Sequence, residues 1–136
     1  MENNKYFPDI NEGRKLAKQA LEGLSNKVKT ELISRLYKRI ERNMNRGELY
    51  LMECTENFSV VKTKHYIKAI NEVEEILRNE GYHVESYLED YNGCYYNITM
   101  LICWDIEALK ADTYSYSNYK KYRDGDLISK NIIETL

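Results

Sequence analysis

The chain has 136 residues, 43% apolar and 31% charged, with one proline and six glycines. That composition supports a single globular domain and excludes long flexible linkers. With a formal charge of −2 and a pI near 5.8, it is not the uniformly basic chain that usually lives on nucleic-acid phosphates.

No apolar run approaches the roughly 18–20 residues of a membrane span, and Met1–Lys5 lack the apolar stretch of a signal peptide. Residues 1–8 read as an N-terminal tail. Asp9 and Glu12 form a capping-box-like helix start, and Leu16, Ala17, Ala20, Leu21 and Leu24 follow at helical spacing for about four turns. Ser25-Asn26 can cap a second helix, carrying Val28, Leu32, Ile33, Leu36, Tyr37, Ile40 and Met44 on one stripe, with Gly47 as its stop. Leu49–Cys54 reads as a strand, and Phe58–Val61 as either its hairpin partner or an irregular approach to a third helix. That helix spans Lys64–Glu80 and ends at Gly81, with Tyr66, Ala69, Ile70, Val73, Ile76 and Leu77 inward.

Tyr82–Asp90 and Cys94–Asp105 are strands flanking Asn92-Gly93, the strongest short hairpin signal available. In the second of them Tyr96, Ile98, Met100, Ile102 and Trp104 should face the helices. Leu101 and Cys103 on the other side suggest partial cover there too. The fold class expected is α+β in the order α-α-β-α-β-β(-α). Its small, mostly antiparallel sheet of three or four strands has the last long strand central and helices on one face. Residues 106–136 form a Tyr-rich extension with a short helix expected from Asp126 to Ile133.

Catalytic and metal-binding signatures are missing from the sequence. His65 and His83 have no ligand spacing with the three cysteines, and no Gly-rich phosphate loop or nucleophile elbow occurs. Glu53, Glu56, Glu89, Asp90 and Asp105 read as a solvated acidic face. Cys54, Cys94 and Cys103, widely spaced, read as reduced thiols and small strand hydrophobes. No enzyme, metal or cofactor is expected.

Charge is unevenly placed. Residues 14–47 carry ten Lys/Arg against three acidic residues, and residues 48–112 carry five against thirteen. At 100° per residue, Arg35, Arg39, Arg42 and Arg46, with Lys38 at the edge, form one cationic helix face about 140° from the apolar stripe. Nine of the thirteen tyrosines lie from Tyr82 onward. Tyr87, Tyr91 and Tyr95, beside Glu89 and Asp90, mark an acidic, aromatic hairpin end suited to protein contact. Tyr114, Tyr116, Tyr119 and Tyr122 have no periodic pattern that would bury them. The acidic surface from Glu72 to Asp90 could also imitate a phosphate track.

The segment Leu77-Arg78-Asn79-Glu80-Gly81-Tyr82-His83-Val84, the Asn-Gly turn and the strand closing on Ile102-Cys103-Trp104 resemble small α+β accessory proteins of tailed phages and prophages. The match covers roughly residues 47–105. The resemblance implies a viral accessory protein in the cytoplasm of a bacterial host, with no catalytic residues to transfer. The leading expectation is a non-enzymatic protein that binds a host or phage complex, including a ribonucleoprotein, as a stoichiometric inhibitor of a defence system such as a CRISPR effector. Rival expectations are a virion or other self-assembling protein, hence a homo-oligomer, and a nucleic-acid binder using the basic helix. A fourth is a sponge for a small nucleotide signal.

Overall fold

A computed structural model describes residues 6–123 and 125–128. Helix α1 (Ile10–Asn45) is followed by strand β1 (Tyr50–Cys54), a 3-10 turn (Val60–Lys62) and helix α2 (Thr63–Asn79). Strands β2 (His83–Tyr91) and β3 (Tyr95–Cys103), helices α3 (Ile106–Ala111) and α4 (Thr113–Lys121), and the short strand β4 (Asp126–Leu127) complete it. The four strands form one antiparallel sheet in the order β1-β3-β2-β4, so the fold is α+β and the most apolar strand is central.

The two helices expected before Gly47 are one, 36 residues and about 54 Å long. Asp9 caps it through a bond from the Glu12 amide (3.1 Å). Ser25-Asn26 does not interrupt it, and Ser25 is itself buried. The physical reason is an apolar ridge that runs without a break at a strict spacing of four from Leu16 through Leu24, Val28 and Leu32 to Met44. A serine inside a helix costs a few tenths of a kcal/mol, much less than breaking that ridge.

A four-residue step advances 400°, so the ridge winds about 40° per step around the helix. Only its middle can face one core. Val28, Leu32, Leu36 and Ile40 are buried, whereas Leu16 at one end is 61% exposed and Met44 at the other is 40% exposed. Gly47 (φ 77°) closes the helix as expected. Its amide bonds the Met44 carbonyl (3.0 Å) and the Glu48 amide bonds that of Asn43 (2.9 Å). Gly81 (φ 95°) ends α2 in the same way.

Phe58–Val61 is not a strand partner of β1. Phe58 instead makes a single bridge to Tyr96 and stacks on Tyr66 at 4.0 Å, and the chain turns at once into α2. The Asn92-Gly93 turn forms as expected, with both residues left-handed (φ 58° and 74°).

The inward set of β3 packs with α1 and α2 into the main core, together with Val28, Leu32, Ile70 and Val73. The opposite face carries a second core, built from Leu101, Cys103 and Tyr87 under Ile106, Leu109 and Tyr119 of α3 and α4. Helices therefore cover both faces, beyond the one-face packing expected. Asp126 and Leu127 belong to β4, not to the start of a helix, because they pair with Leu88 and Tyr87. The rest of that expected helix, from Ser129 to Ile133, lies outside the described residues.

Only Cys103 behaves as a core hydrophobe. Cys54 and Cys94 are exposed, since Cys54 ends an edge strand and Cys94 sits in the hairpin turn. Burial pushes the Cys103 thiol up to about 11. A thiol-specific reagent should therefore modify two of the three cysteines quickly and the third only on unfolding. Mass mapping of the labelled peptides checks this.

Candidate partner-binding surface

The cationic face of α1 is half used by the fold. Glu53 lies on the inward face of β1, only 4% exposed, and Arg35 Nε reaches its Oε1 at 2.8 Å. Arg39 holds the other carboxylate oxygen, and the two arginines sit one turn apart, so they form a fork across a single carboxylate. The expectation that Arg35 and Arg39 serve a partner is corrected accordingly: they tie α1 to the sheet edge. Lys38, Arg42 and Arg46 remain as a cationic patch near the C-terminal end of α1. Among the described residues no ion pair engages them.

The acidic half is not simply a solvated face. Glu53, Glu74 and Glu85 are buried. Glu74 accepts a bond from Ser86 Oγ (2.8 Å) and lies 3.6 Å from the Arg78 guanidinium. Glu85 accepts from Tyr87 Oη (2.6 Å), Tyr119 Oη (2.9 Å) and the Arg123 guanidinium (3.0 Å). These carboxylates satisfy buried donors, and a phosphate-like track through Glu74 and Glu85 does not exist.

Tyr87, expected on the partner surface, belongs to the second core with its hydroxyl committed to Glu85. Of the tail tyrosines, Tyr119 is fully buried and Tyr116 partly so, while Tyr114 is 78% exposed. The overlooked signals are Asp105 and Asp112, which cap α3 and α4 through the Ala108 and Ser115 amides (3.1 Å each). Those caps set Ile106, Leu109, Tyr116 and Tyr119 on the inward side.

Burial, reinforced by the neighbouring carboxylates, raises the phenols of Tyr66, Tyr87 and Tyr119 well above their ordinary value of 10.0. Their neutral forms are favoured by folding. Stability from this source is complete below pH 10 and is lost as the pH climbs from there towards the raised values. Tyrosinate absorbance should accordingly show an early group of exposed phenols and a late, cooperative group that titrates only as the far-ultraviolet helix signal collapses.

The hairpin end does gather the remaining predicted residues. β1 pairs only with Thr99–Cys103, Phe58 adds a bridge to Tyr96, and β4 pairs only with Tyr87–Leu88, so residues 90–95 project as a two-stranded ribbon beyond the rest of the sheet. Tyr91 and Tyr95 face each other in register and stack at 4.7 Å and 22°. Glu89 Oε2 accepts the Tyr91 hydroxyl (2.6 Å), and that bond raises the phenol's pKa. Asp90 accepts the Gly93 amide (2.8 Å) and so fixes the turn. Tyr50, beside the α1 terminus, pairs with Cys103 at the far end of β3. Eight residues separate Tyr95 from Cys103, about 26 Å at 3.3 Å each. The acidic tip and the Lys38–Arg46 patch thus lie at opposite ends and do not neutralise each other within a protomer.

Among the described residues no cluster of three or more His, Cys, Asp or Glu could hold a metal ion, and no helix is long and apolar enough to cross a membrane. No family model matches the chain, and no curated protein or solved structure matches it significantly.

Proposed function

We propose that the protein is a non-enzymatic, phage-type binding protein that docks its acidic, aromatic hairpin end onto a cationic surface of another macromolecular complex. The most concrete form is a stoichiometric inhibitor of a bacterial defence system such as a CRISPR effector. The observation that carries this reading is the projecting Tyr91–Tyr95 stack, beside Glu89 and Asp90, on a ribbon whose turn is closed by the Asp90 bond to the Gly93 amide. Paired tyrosines offer contact area at low entropic cost, and the adjacent carboxylates steer the tip toward positive charge. Direct nucleic-acid binding through the basic face of α1 is the weaker reading, because two of the five cations of that face, Arg35 and Arg39, are held by Glu53.

The test is capture from host lysate on immobilised chain, followed by interference assays with the captured complex. Tyr91→Ala with Tyr95→Ala should weaken capture at least about 30-fold, the loss of roughly 2 kcal/mol expected of a central anchor. Arg42→Glu with Arg46→Glu should leave it intact. The reverse pattern, with loss on the arginine changes and none on the tyrosines, sinks the proposal and favours a polyanionic ligand. A second reading, self-assembly, is favoured by one separate feature, the exposed apolar residues of α1.

A further inference from the structure

Five residues of α1 recur at a strict interval of seven: Leu16, Gly23, Thr30, Tyr37 and Met44. All are exposed, Tyr37 at 71% and Leu16 at 61%. Residues seven apart drift only about 20° on a straight helix, so they mark one continuous seam, and a left-handed pair of helices follows such a seam. This line is distinct from the four-spaced ridge, which it meets only at the ends. Along its C-terminal half the seam borders an open apolar groove of about 290 Å³ between α1 and α2, floored by the buried Leu36, Ile40, Val73 and Leu77, with Glu41 and Glu80 on its rim. No described residue of the protomer fills that groove.

We infer that the groove receives the N-terminal half of α1 from a second copy of the chain, in a two-fold antiparallel dimer centred on Thr30. The size pattern around Thr30 is self-complementary. Leu16 of each copy meets Met44 of the other, Thr30 meets Thr30, and Gly23 meets Tyr37, the smallest residue of the seam against the largest.

Gly23 supplies an independent argument. Glycine disfavours a helix interior relative to alanine, yet a Cβ placed at Gly23, as at Gly13 nearer the helix start, would touch nothing within 4 Å. No described residue of the protomer therefore gives glycine a packing reason at this mid-helix site, and a ring from a second copy lying on the bare backbone supplies one.

Charge agrees as well. Lys15, about 100° round from Leu16, borders the seam on the side that faces α2 of the second copy, where Glu80 and Glu75 are exposed. The seam from Leu16 to Met44 is about 42 Å long at 1.5 Å per residue, enough for the roughly 800 Å² per partner of a standard interface. Gln19 and Asn26, polar residues between the seam positions, are the kind that fix register in paired helices. The hairpin tips stay outside the contact, so the dimer stands or falls independently of the proposed docking.

Sedimentation equilibrium of the full chain across the micromolar range tests the inference. The wild type should fit a monomer–dimer equilibrium. Gly23→Leu should weaken it at least about 100-fold, since symmetry places the clash at two sites. The same change should keep or raise the melting temperature of the protomer, so lost association cannot be a folding defect.

In a Cys54→Ser, Cys94→Ser background, Thr30→Cys should cross-link nearly quantitatively under mild oxidation, and Leu21→Cys, about 180° away on α1, should not. A wild type that stays monomeric at tens of micromolar, an undiminished dimer in Gly23→Leu, or cross-linking through position 21 instead of 30 overturns the antiparallel α1 dimer.

Discussion

Replacing Glu85 by alanine should lower the free energy of unfolding by about 3–5 kcal/mol, the loss typical of a buried ion pair deprived of one member. Glu85 is 1% exposed and is the acceptor for two phenols and one guanidinium. Without it, the Tyr87 and Tyr119 hydroxyls remain buried beside an empty space, and Arg123 loses its counter-charge. Arg123 is the more forgiving partner, because at 23% side-chain exposure it can turn toward water. Burial alone would lower its pKa, and the carboxylate outweighs that and raises it.

The damage should be regional. Glu85 joins the sheet to α4 and the segment after it, so limited trypsin digestion should open the Lys120–Arg123 region before the main core. Glu85→Gln keeps the shape and loses the charge, and should cost about 1–3 kcal/mol. Urea denaturation of both variants, with a Glu85/Tyr119 double-mutant cycle, measures the coupling. A change below 1 kcal/mol for the alanine variant would show that the second core does not depend on the carboxylate.

The second large effect separates two leucines of one ridge. Leu32→Ala should cost about 2–5 kcal/mol, because Leu32 is 2% exposed between β1 and α2 and its removal leaves a cavity. Leu16→Ala, four steps earlier on the same ridge, should change the unfolding of the isolated protomer by less than about 0.5 kcal/mol. Chemical denaturation at submicromolar concentration is the appropriate measurement, since it keeps association out of the comparison. The contrast follows from the winding of a four-residue spacing, which carries Leu16 out of the core that holds Leu32.

The same winding shows why parts of the fold were legible in the sequence and others were not. α2, the Asn92-Gly93 hairpin and the inward alternation of β3 are local patterns whose period matches their element. Gly47 and Gly81 act through backbone conformation alone. The continuity of α1 was hidden because Ser25-Asn26 offers cap chemistry that the unbroken ridge overrides. The roles of Glu53 and Glu85 were hidden by their charge, although position betrays both: Glu53 is two residues from Leu51, and Glu85 two from Tyr87, each on a buried side of its strand. At the hairpin end, Tyr91, Tyr95, Glu89 and Asp90 were correctly grouped. Tyr87, Arg35 and Arg39 were misassigned: Glu53, 18 and 14 residues further on, claims the two arginines, and the second core claims Tyr87, whose hydroxyl goes to Glu85 on the same face of β2.

The strand order also has a consequence in time. β3 is central but leaves the ribosome after both neighbours that flank it, and Cys103 follows Cys54 by 49 residues. At elongation rates of roughly 5–20 residues per second, β1 waits about 2.5–10 s for the strand that pairs it. During that interval the nascent chain can form α1 and close the Arg35–Glu53–Arg39 fork, since all three residues have already emerged. The fork, with the Asn43 side-chain bond to the Tyr50 carbonyl, thus ties β1 to α1 before the sheet exists, and it holds an exposed strand edge against the chain's own helix while synthesis finishes.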